Sequence, residues 1–294
     1  MPLDSVQVDA ALLASLPLPD PDDTTEKHER GTVVVVGGTR RTPGAVRLAG
    51  VAALRVGAGK LQLVTDAETC DALGVAVPEA LVAPFAAVED LCDRADVVLV
   101  GPGTFNDDNA AQLLKSVLAS VGPDTSVVID AGALGAMATM TALDAGLAER
   151  CVLTPNPGEL ATLLGVALDT VQAEPDAALR DAVARFSCVI TLRGPEARTA
   201  GPNSPVVVDT AGNPGLGTSG SGDVSVGALA GLLGRGAPPL TAAVWANHVH
   251  RRAGERCAGR IGPVGYLASD LLVELPRALA EVSGTAPPLP PTAP

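Results

Sequence analysis

The run Thr32-Val33-Val34-Val35-Val36, closed by Gly37-Gly38, constrains this chain more than any other stretch. An unbroken series of β-branched residues without polar alternation describes a strand buried on both faces, and strands of that kind lie inside parallel sheets. The next segments have the same grammar. Pro43 opens a helical stretch to Gly57 with Ala45, Leu48, Ala49, Ala52, Ala53 and Val56 on one side, and Lys60 to Thr65 reads as the next strand. Further strands are expected at 96–100, 126–130, 151–153, 188–192 and 205–209, and helices at 109–121, 160–164, 176–186, 241–257 and 266–280. Alternation of this sort predicts an α/β fold with a mostly parallel central sheet and helices on both faces. Residues 31–284 should form it as a single domain, after a peripheral N-terminal arm at 1–30 that carries a short helix at 8–15. Residues 285–294 read as a disordered proline-rich tail.

Ligands in open α/β sheets bind beyond the carboxyl ends of the strands. Here those ends carry Gly101-Pro102-Gly103, Asp130-Ala131-Gly132 and Thr154-Pro155-Asn156-Pro157-Gly158-Glu159. They are expected to converge with the stretch 212–236, GNPGLGTSGSGDVSVGALAGLLGRG, whose glycine-rich loop feeds an apolar helix taken to begin at Asp223. Free N–H groups and the positive dipole end of such a helix hold an anion, and Thr218, Ser219 and Ser221 add hydroxyl donors. Asp223 is open to two readings, a helix cap or a carboxylate that stays ionised and accepts a proton. The loop lacks the Gly-Lys-Ser/Thr of a P-loop and the spacing of a dinucleotide G-x-G-x-x-G.

A net charge of −13, with three lysines beside seventeen arginines and only 2% aromatic residues, argues against a nucleic-acid surface. The N-terminus has no basic n-region and no stretch reaches spanning length, so a soluble cytoplasmic protein without a membrane partner is expected. Five widely spaced cysteines without a C-x-x-C fit buried thiols better than disulfides or zinc. No metal site is expected: His248 and His250 lie two residues apart on a helix and point to different faces, and both read as structural or exposed. Arg251-Arg252 reads as solvated surface and Glu159 as dipole compensation. Asp130 divides evenly between a site role and a turn cap.

Seven blocks in order resemble the NAD(P)H-hydrate dehydratases of the ribokinase-like superfamily. They are Gly37-Gly38 with Pro43-Gly44-Ala45, the run 53–59 (ALRVGAG), Val77-Pro78-Glu79, Gly101-Pro102-Gly103, Thr154 to Glu159, Gly212-Asn213-Pro214-Gly215 through Gly222-Asp223, and the run 265–270 (GYLASD). The resemblance implies a ribokinase-like fold that dehydrates hydrated NADH or NADPH, with ADP ahead of ATP as phosphoryl donor and Mg2+ as cofactor. It implies Asp223 as the catalytic residue, with Ala45, Gly103, Asn156 and Asp223 against the substrate. Nucleotide contacts would come from Arg193, Gly194, Pro195, Glu196, Ala197, Thr218, Gly220, Ser221 and Gly222. A separate NAD(P)H-hydrate epimerase in the same pathway and a homo-oligomer, a tetramer being one form, are also implied.

The chain departs from the family pattern at several positions. Asn156 stands for His, Arg193 for Lys, Thr162 for Arg, and Gly132 for the second acid of an Asp-Ala-Asp turn. Ser219 replaces a glycine, which matters if that position needs a positive φ. Two alternatives therefore stay open: a small-molecule kinase of the same fold, and a nucleotide-binding member that has lost catalysis.

Overall fold

The computed structural model describes residues 5–20, 30–140 and 142–285. The proline-rich tail, from residue 286 on, lies outside the described residues. The chain runs β1 (Val6–Gln7), α1 (Ala10–Ser15), β2 (Thr32–Val36), α2 (Pro43–Arg55), β3 (Lys60–Thr65), α3 (Cys70–Ala76), β4 (Ala80–Pro84), α4 (Val88–Asp93) and β5 (Val97–Val100). It continues with α5 (Asp108–Ser120), β6 (Ser126–Ile129), α6 (Gly132–Met137), α7 (Ala145–Ala148), β7 (Cys151–Leu153), α8 (Pro157–Leu164), α9 (Leu168–Ala173) and α10 (Pro175–Phe186). The last third holds β8 (Val189–Leu192), β9 (Ala197–Ala200), β10 (Val207–Asp209), α11 (Ser221–Gly234), α12 (Pro239–Arg260) and α13 (Ala268–Val282).

The strands form one sheet in the order β1-β10-β9-β8-β7-β6-β5-β2-β3-β4. Every pairing is parallel except those of β9, which runs antiparallel to β8 and β10. In β2, Val33 and Val35 face one core with α2, α11, α12 and α13, while Val34 and Val36 face a second core with α5, α6, α8 and α10. All four valines are fully buried, which is why the run lacks a polar alternation. β2 lies between β3 and β5, so strand order reverses there and the turns at 37–38 and 101–103 open side by side. The Gly38 N–H donates to Pro102 O at 2.7 Å, and a side chain at Gly37 would collide with that same carbonyl.

From Val226 to Gly234 α11 is apolar all round because it is buried all round. Gly227 and Gly231 let it lie directly on α2, where a Cβ at either position would meet backbone of Ala49 or Ala53.

The structure adds elements the periodicity did not reveal. β4 is an edge strand, and β9 starts at Ala197, the last residue of the stretch expected to contact nucleotide. α11 begins at Ser221 rather than at Asp223, and α13 at Ala268 rather than at Tyr266. The N-terminal arm is fastened to the body. β1 pairs with β10, Leu13 is buried, the Trp245 indole donates to Leu16 O at 2.7 Å, and Arg235 donates to Pro19 O at 2.7 Å.

Candidate active site

The carboxyl ends of β6, β7 and β8 meet around Arg193. Its Nη2 donates to Asp130 Oδ1 at 2.8 Å, its Nε donates to Thr154 O at 2.8 Å, and its backbone N–H donates to Pro155 O at 2.9 Å. Asp130 is 2% exposed and also accepts from the Thr154 hydroxyl at 2.7 Å. Asp130 is thus anchored in the site by charge and hydrogen bonds. Glu159 Oε2 stands 3.5 Å from Arg193 Nη2. Burial raises the Glu159 pKa, Asp130 adds to that, and the Asn156 amide and Arg193 oppose it.

Asn156 is the N-cap of α8. Its Oδ1 accepts from Glu159 N–H at 3.0 Å, and Glu159 Oε2 accepts from Asn156 N–H at 2.7 Å, a reciprocal capping box. Its side chain is therefore committed to the helix end while its outer surface borders the large cavity beside the glycine-rich loop. Thr162 is on the same helix and returns its hydroxyl to Gly158 O at 3.0 Å. At Gly132 the reason for the departure is steric: a Cβ there would collide with the Phe105 carbonyl, so loss of the acid lets the 104–106 segment pack onto α6.

The glycine-rich loop turns at Gly220, whose φ of 85° demands glycine, and Ser221 starts α11. Ser219 has no positive φ, so its Cβ introduces no backbone strain. Asp223 is the third residue of α11 and not its cap, which removes the reading of Asp223 as a capping group. Gly227 and Gly231 pack on Ala49 and Ala53, and the same register one turn earlier sets Asp223 opposite Ala45. Ala45 Cβ lies 2.8 Å from where a Cβ on Gly103 would stand. Ala45 and Gly103 thus border a crevice at the strand-order reversal, and the α2–α11 register carries Asp223 toward it. Burial, then Asp130, push the Asp223 pKa up to about 6 against the pull of Arg193. At pH 7 the carboxylate therefore stays mostly ionised, but it titrates far closer to neutral pH than a helix terminus alone would set it.

On the other side of the loop lies a cavity of about 950 Å3. Arg193, Gly194, Pro195, Ala197, Thr218, Ser221 and Gly222 line it, together with residues 210–214, Leu216 and the α12 residues Asn247, His250 and Arg251. Glu196 is turned away onto Arg198 at 2.5 Å, and Gly220 does not reach the lining. A side chain at Gly222 would displace the end of the Arg193 guanidinium from its place beside the loop. Asn213 Oδ1 accepts from Gly215 N–H at 2.9 Å and Tyr266 OH at 3.0 Å, leaving its Nδ2 buried without a partner.

One α12 residue corrects the sequence reading and a second adds to it. Arg251 is 6% exposed, not solvated surface, and donates to Gly194 O at 2.6 Å, Pro195 O at 2.9 Å and Ala211 O at 2.6 Å. Burial pulls its pKa below the ordinary value, opposed by Asp209, Glu196 and Glu255. His250 is buried with Nε2 3.0 Å from Ser221 Oγ, and burial with Arg251 and Arg193 pushes its pKa down to about 3. His248 lies on the far side of the helix with Nδ1 3.0 Å from Asp209 Oδ2. The i, i+2 spacing gave the divergence of these rings but carried no signal that one of them faces the cavity.

Comparison with known proteins gives a consistent answer. A family model for NAD(P)H-hydrate dehydratase matches residues 33–277. The chain is 41% identical to the ADP-dependent (S)-NAD(P)H-hydrate dehydratase of Xanthomonas campestris, over 92% of this chain and 94% of that one. It superposes on a ribokinase-like superfamily protein of Enterococcus faecalis with a TM-score of 0.85 at 25% identity, covering 95% of this chain and 96% of that one. The ADP/ATP-dependent NAD(P)H-hydrate dehydratase of Bacillus subtilis, co-crystallized with ATP/Mg2+, matches with a TM-score of 0.81 at 26% identity, covering 93% and 97%. Bifunctional NAD(P)H-hydrate repair enzymes match as well, and the chain spans about half of their length.

Proposed function

The chain belongs to the NAD(P)H-hydrate dehydratase family, and on that premise we propose that it restores hydrated NADH or NADPH by nucleotide-dependent dehydration, with ADP ahead of ATP as the phosphoryl donor. The observation that carries this reading is the meeting of one carboxylate, Asp223, with the free amide end of α11 between the crevice and the 950 Å3 cavity. The cavity is of a size to hold a nucleotide. The N-terminal amides of α11 and the Arg193 guanidinium beside Gly222 form an anion cradle.

In the proposed reaction the hydrated nicotinamide ring lies against Ala45 and Gly103 with its hydroxyl toward Asp223. Asp223 accepts the hydroxyl proton as that oxygen attacks the terminal phosphoryl group, while the bond from that phosphorus to the bridging oxygen breaks and the nucleotide leaves one phosphate shorter, AMP from ADP. Amides of the loop and the dipole of α11 hold the charge that develops on the phosphoryl oxygens. The hydroxyl, now a phosphate ester, departs with its bonding electrons, pushed by the ring nitrogen, and loss of the adjacent ring proton restores the double bond. Asn156, with its side chain in the capping box, shapes the wall and cannot titrate. Arg193 keeps the charge of the family lysine but is fixed by its fork to Asp130 and Thr154.

Mg2+ suits this donor set as a partner of the nucleotide phosphates. Among the described residues no group of three His, Cys, Asp or Glu side chains could hold a metal, and Mg2+ characteristically takes phosphates and waters with one or two carboxylates. Bound that way it would neutralise charge on the phosphates. The proposed setting is the cytoplasm, with a separate epimerase supplying the reactive epimer and a homo-oligomer in solution. No helix among the described residues is long and apolar enough to cross a membrane.

The test is direct. Hydrated NADH incubated with the protein, Mg2+ and either ADP or ATP should regain the absorbance of the reduced nicotinamide and release phosphate. A stable phosphoester in place of recovery would make the protein a kinase. Tight nucleotide binding without any product would make it a catalytically silent member.

A further inference from the structure

The proposed chemistry leaves one buried titratable group on the cavity wall unused. His250, on α12, is 8% exposed and sets Nε2 3.0 Å from the Oγ of Ser221, the first residue of α11. Both residues line the 950 Å3 cavity. Ser221 sits at the amide end of the helix, where an anion is drawn. Burial and the flanking cations Arg251 and Arg193 keep the ring neutral through the whole working pH range. A neutral imidazole carries one N–H, so two arrangements are available. With Nε2 bare, the only proton of the Ser221 hydroxyl points at the ring, and the serine presents lone pairs to an incoming phosphate. With Nε2 protonated, the ring donates to Oγ, and the serine proton is free to turn into the cavity.

We propose that His250 is a positioning residue that donates Nε2–H to Ser221 Oγ and so directs the serine hydroxyl proton onto the nucleotide phosphate in the cavity. The inference rests on the reading of that cavity as a nucleotide site. It assigns His250 to phosphate affinity rather than to proton transfer. It also accounts for an imidazole buried where a charged one would be held by the phosphate and an apolar one would leave Ser221 unoriented. A Gln side chain can present an amide N–H from the same helix position, whereas Leu cannot.

The experiment measures ADP affinity by calorimetry for the full chain and for His250→Leu, His250→Gln, Ser221→Ala and the Ser221→Ala/His250→Leu double variant, with melting temperatures alongside. The wild type should bind ADP. His250→Leu should weaken binding about tenfold to a hundredfold, the loss of one hydrogen bond to a charged group. His250→Gln should recover most of it, and His250→Leu should add nothing once Ser221 is Ala. Unchanged ADP affinity in His250→Leu, or a full loss that persists on the Ser221→Ala background, would overturn the inference. Nitrogen NMR of the wild-type ADP complex decides it without any variant, should the Leu protein not fold. Protonated Nε2 on His250 is expected, and the Nδ1–H tautomer would refute it. Failure of the wild type to bind ADP would instead sink the nucleotide reading itself.

Discussion

Asp223 is held in the folded chain at a pKa of about 6 against an ordinary 3.8, so the native state binds this proton more tightly than the unfolded one. Its contribution to stability is therefore largest below 3.8 and is lost as pH rises through 6. At neutral pH the ionised carboxylate is a standing cost. Asp223→Asn should raise stability at pH 7 by about 1–2 kcal/mol after allowance for partial exposure, read as a higher melting temperature. Turnover should fall about 10² to 10⁴-fold, and the acidic limb of kcat/KM near pH 6 should vanish with it. A variant that melts lower, or that keeps the limb, would place the base elsewhere. The neighbouring arginines make a second contrast at this scale. Arg251→Met leaves three carbonyls without their donor and should cost about 3 kcal/mol or more along with ADP binding. Arg252→Met removes pairs to Glu255 and Glu281 near the surface and should cost under about 1 kcal/mol. Thermal melts with and without ADP read both.

The elements around the site differ in how plainly their sequences declare them. β2 is legible because a strand covered on both faces needs nothing but β-branched residues. β9 is not, because its residues Ala197, Arg198, Thr199 and Ala200 carry no apolar run. It is a strand because β8 and β10 stand on either side of it, a cause that lies elsewhere in the chain. α12 hides its cavity face for a similar reason. Its polar residues Asn247, His250 and Arg251 are buried by contact with Thr191, Thr199, Ser221 and three loop carbonyls, and none of those partners is near in sequence. The glycines of α11 are the reverse case. Their spacing gives the helix face that meets α2, and the packing tells what a side chain would do. Gly227→Ala would push a Cβ into the Ala49 backbone, part the two helices and move Asp223 off Ala45. It should lower stability by about 1–3 kcal/mol and reduce turnover in proportion to the displacement. Gly74→Ala, inside α3 with open space around it, should instead raise stability by about 0.5–1 kcal/mol and leave turnover unchanged. Paired melts and progress curves for the two variants check this, and equal effects would deny that the α2–α11 contact is tight.

At the scale of the whole molecule, the sheet gathers the carboxyl ends of its parallel strands at one edge, and that gathering was legible from the turn residues alone. Asp130, Thr154 and Arg193 lie tens of residues apart and meet because β6, β7 and β8 are consecutive neighbours. What the sequence could not divide was this edge into two compartments. The crevice at Ala45, Gly103 and Asp223 lies toward α2, the cavity toward α12, and the loop of α11 stands between them. A ligand of the cavity alone should therefore stabilise the fold whether or not chemistry follows. With ADP at a hundredfold excess over its Kd, linkage adds about 2.7 kcal/mol, a rise of roughly 5 °C in melting temperature for a chain of this length. The rise should survive Asp223→Asn, since that substitution touches the crevice and takes a negative charge away from the phosphate end. It should be lost in Arg251→Met, which unties the cavity wall. If Asp223→Asn abolished the rise while Arg251→Met kept it, the two compartments would have to exchange roles, and the nucleotide would belong in the crevice beside α2.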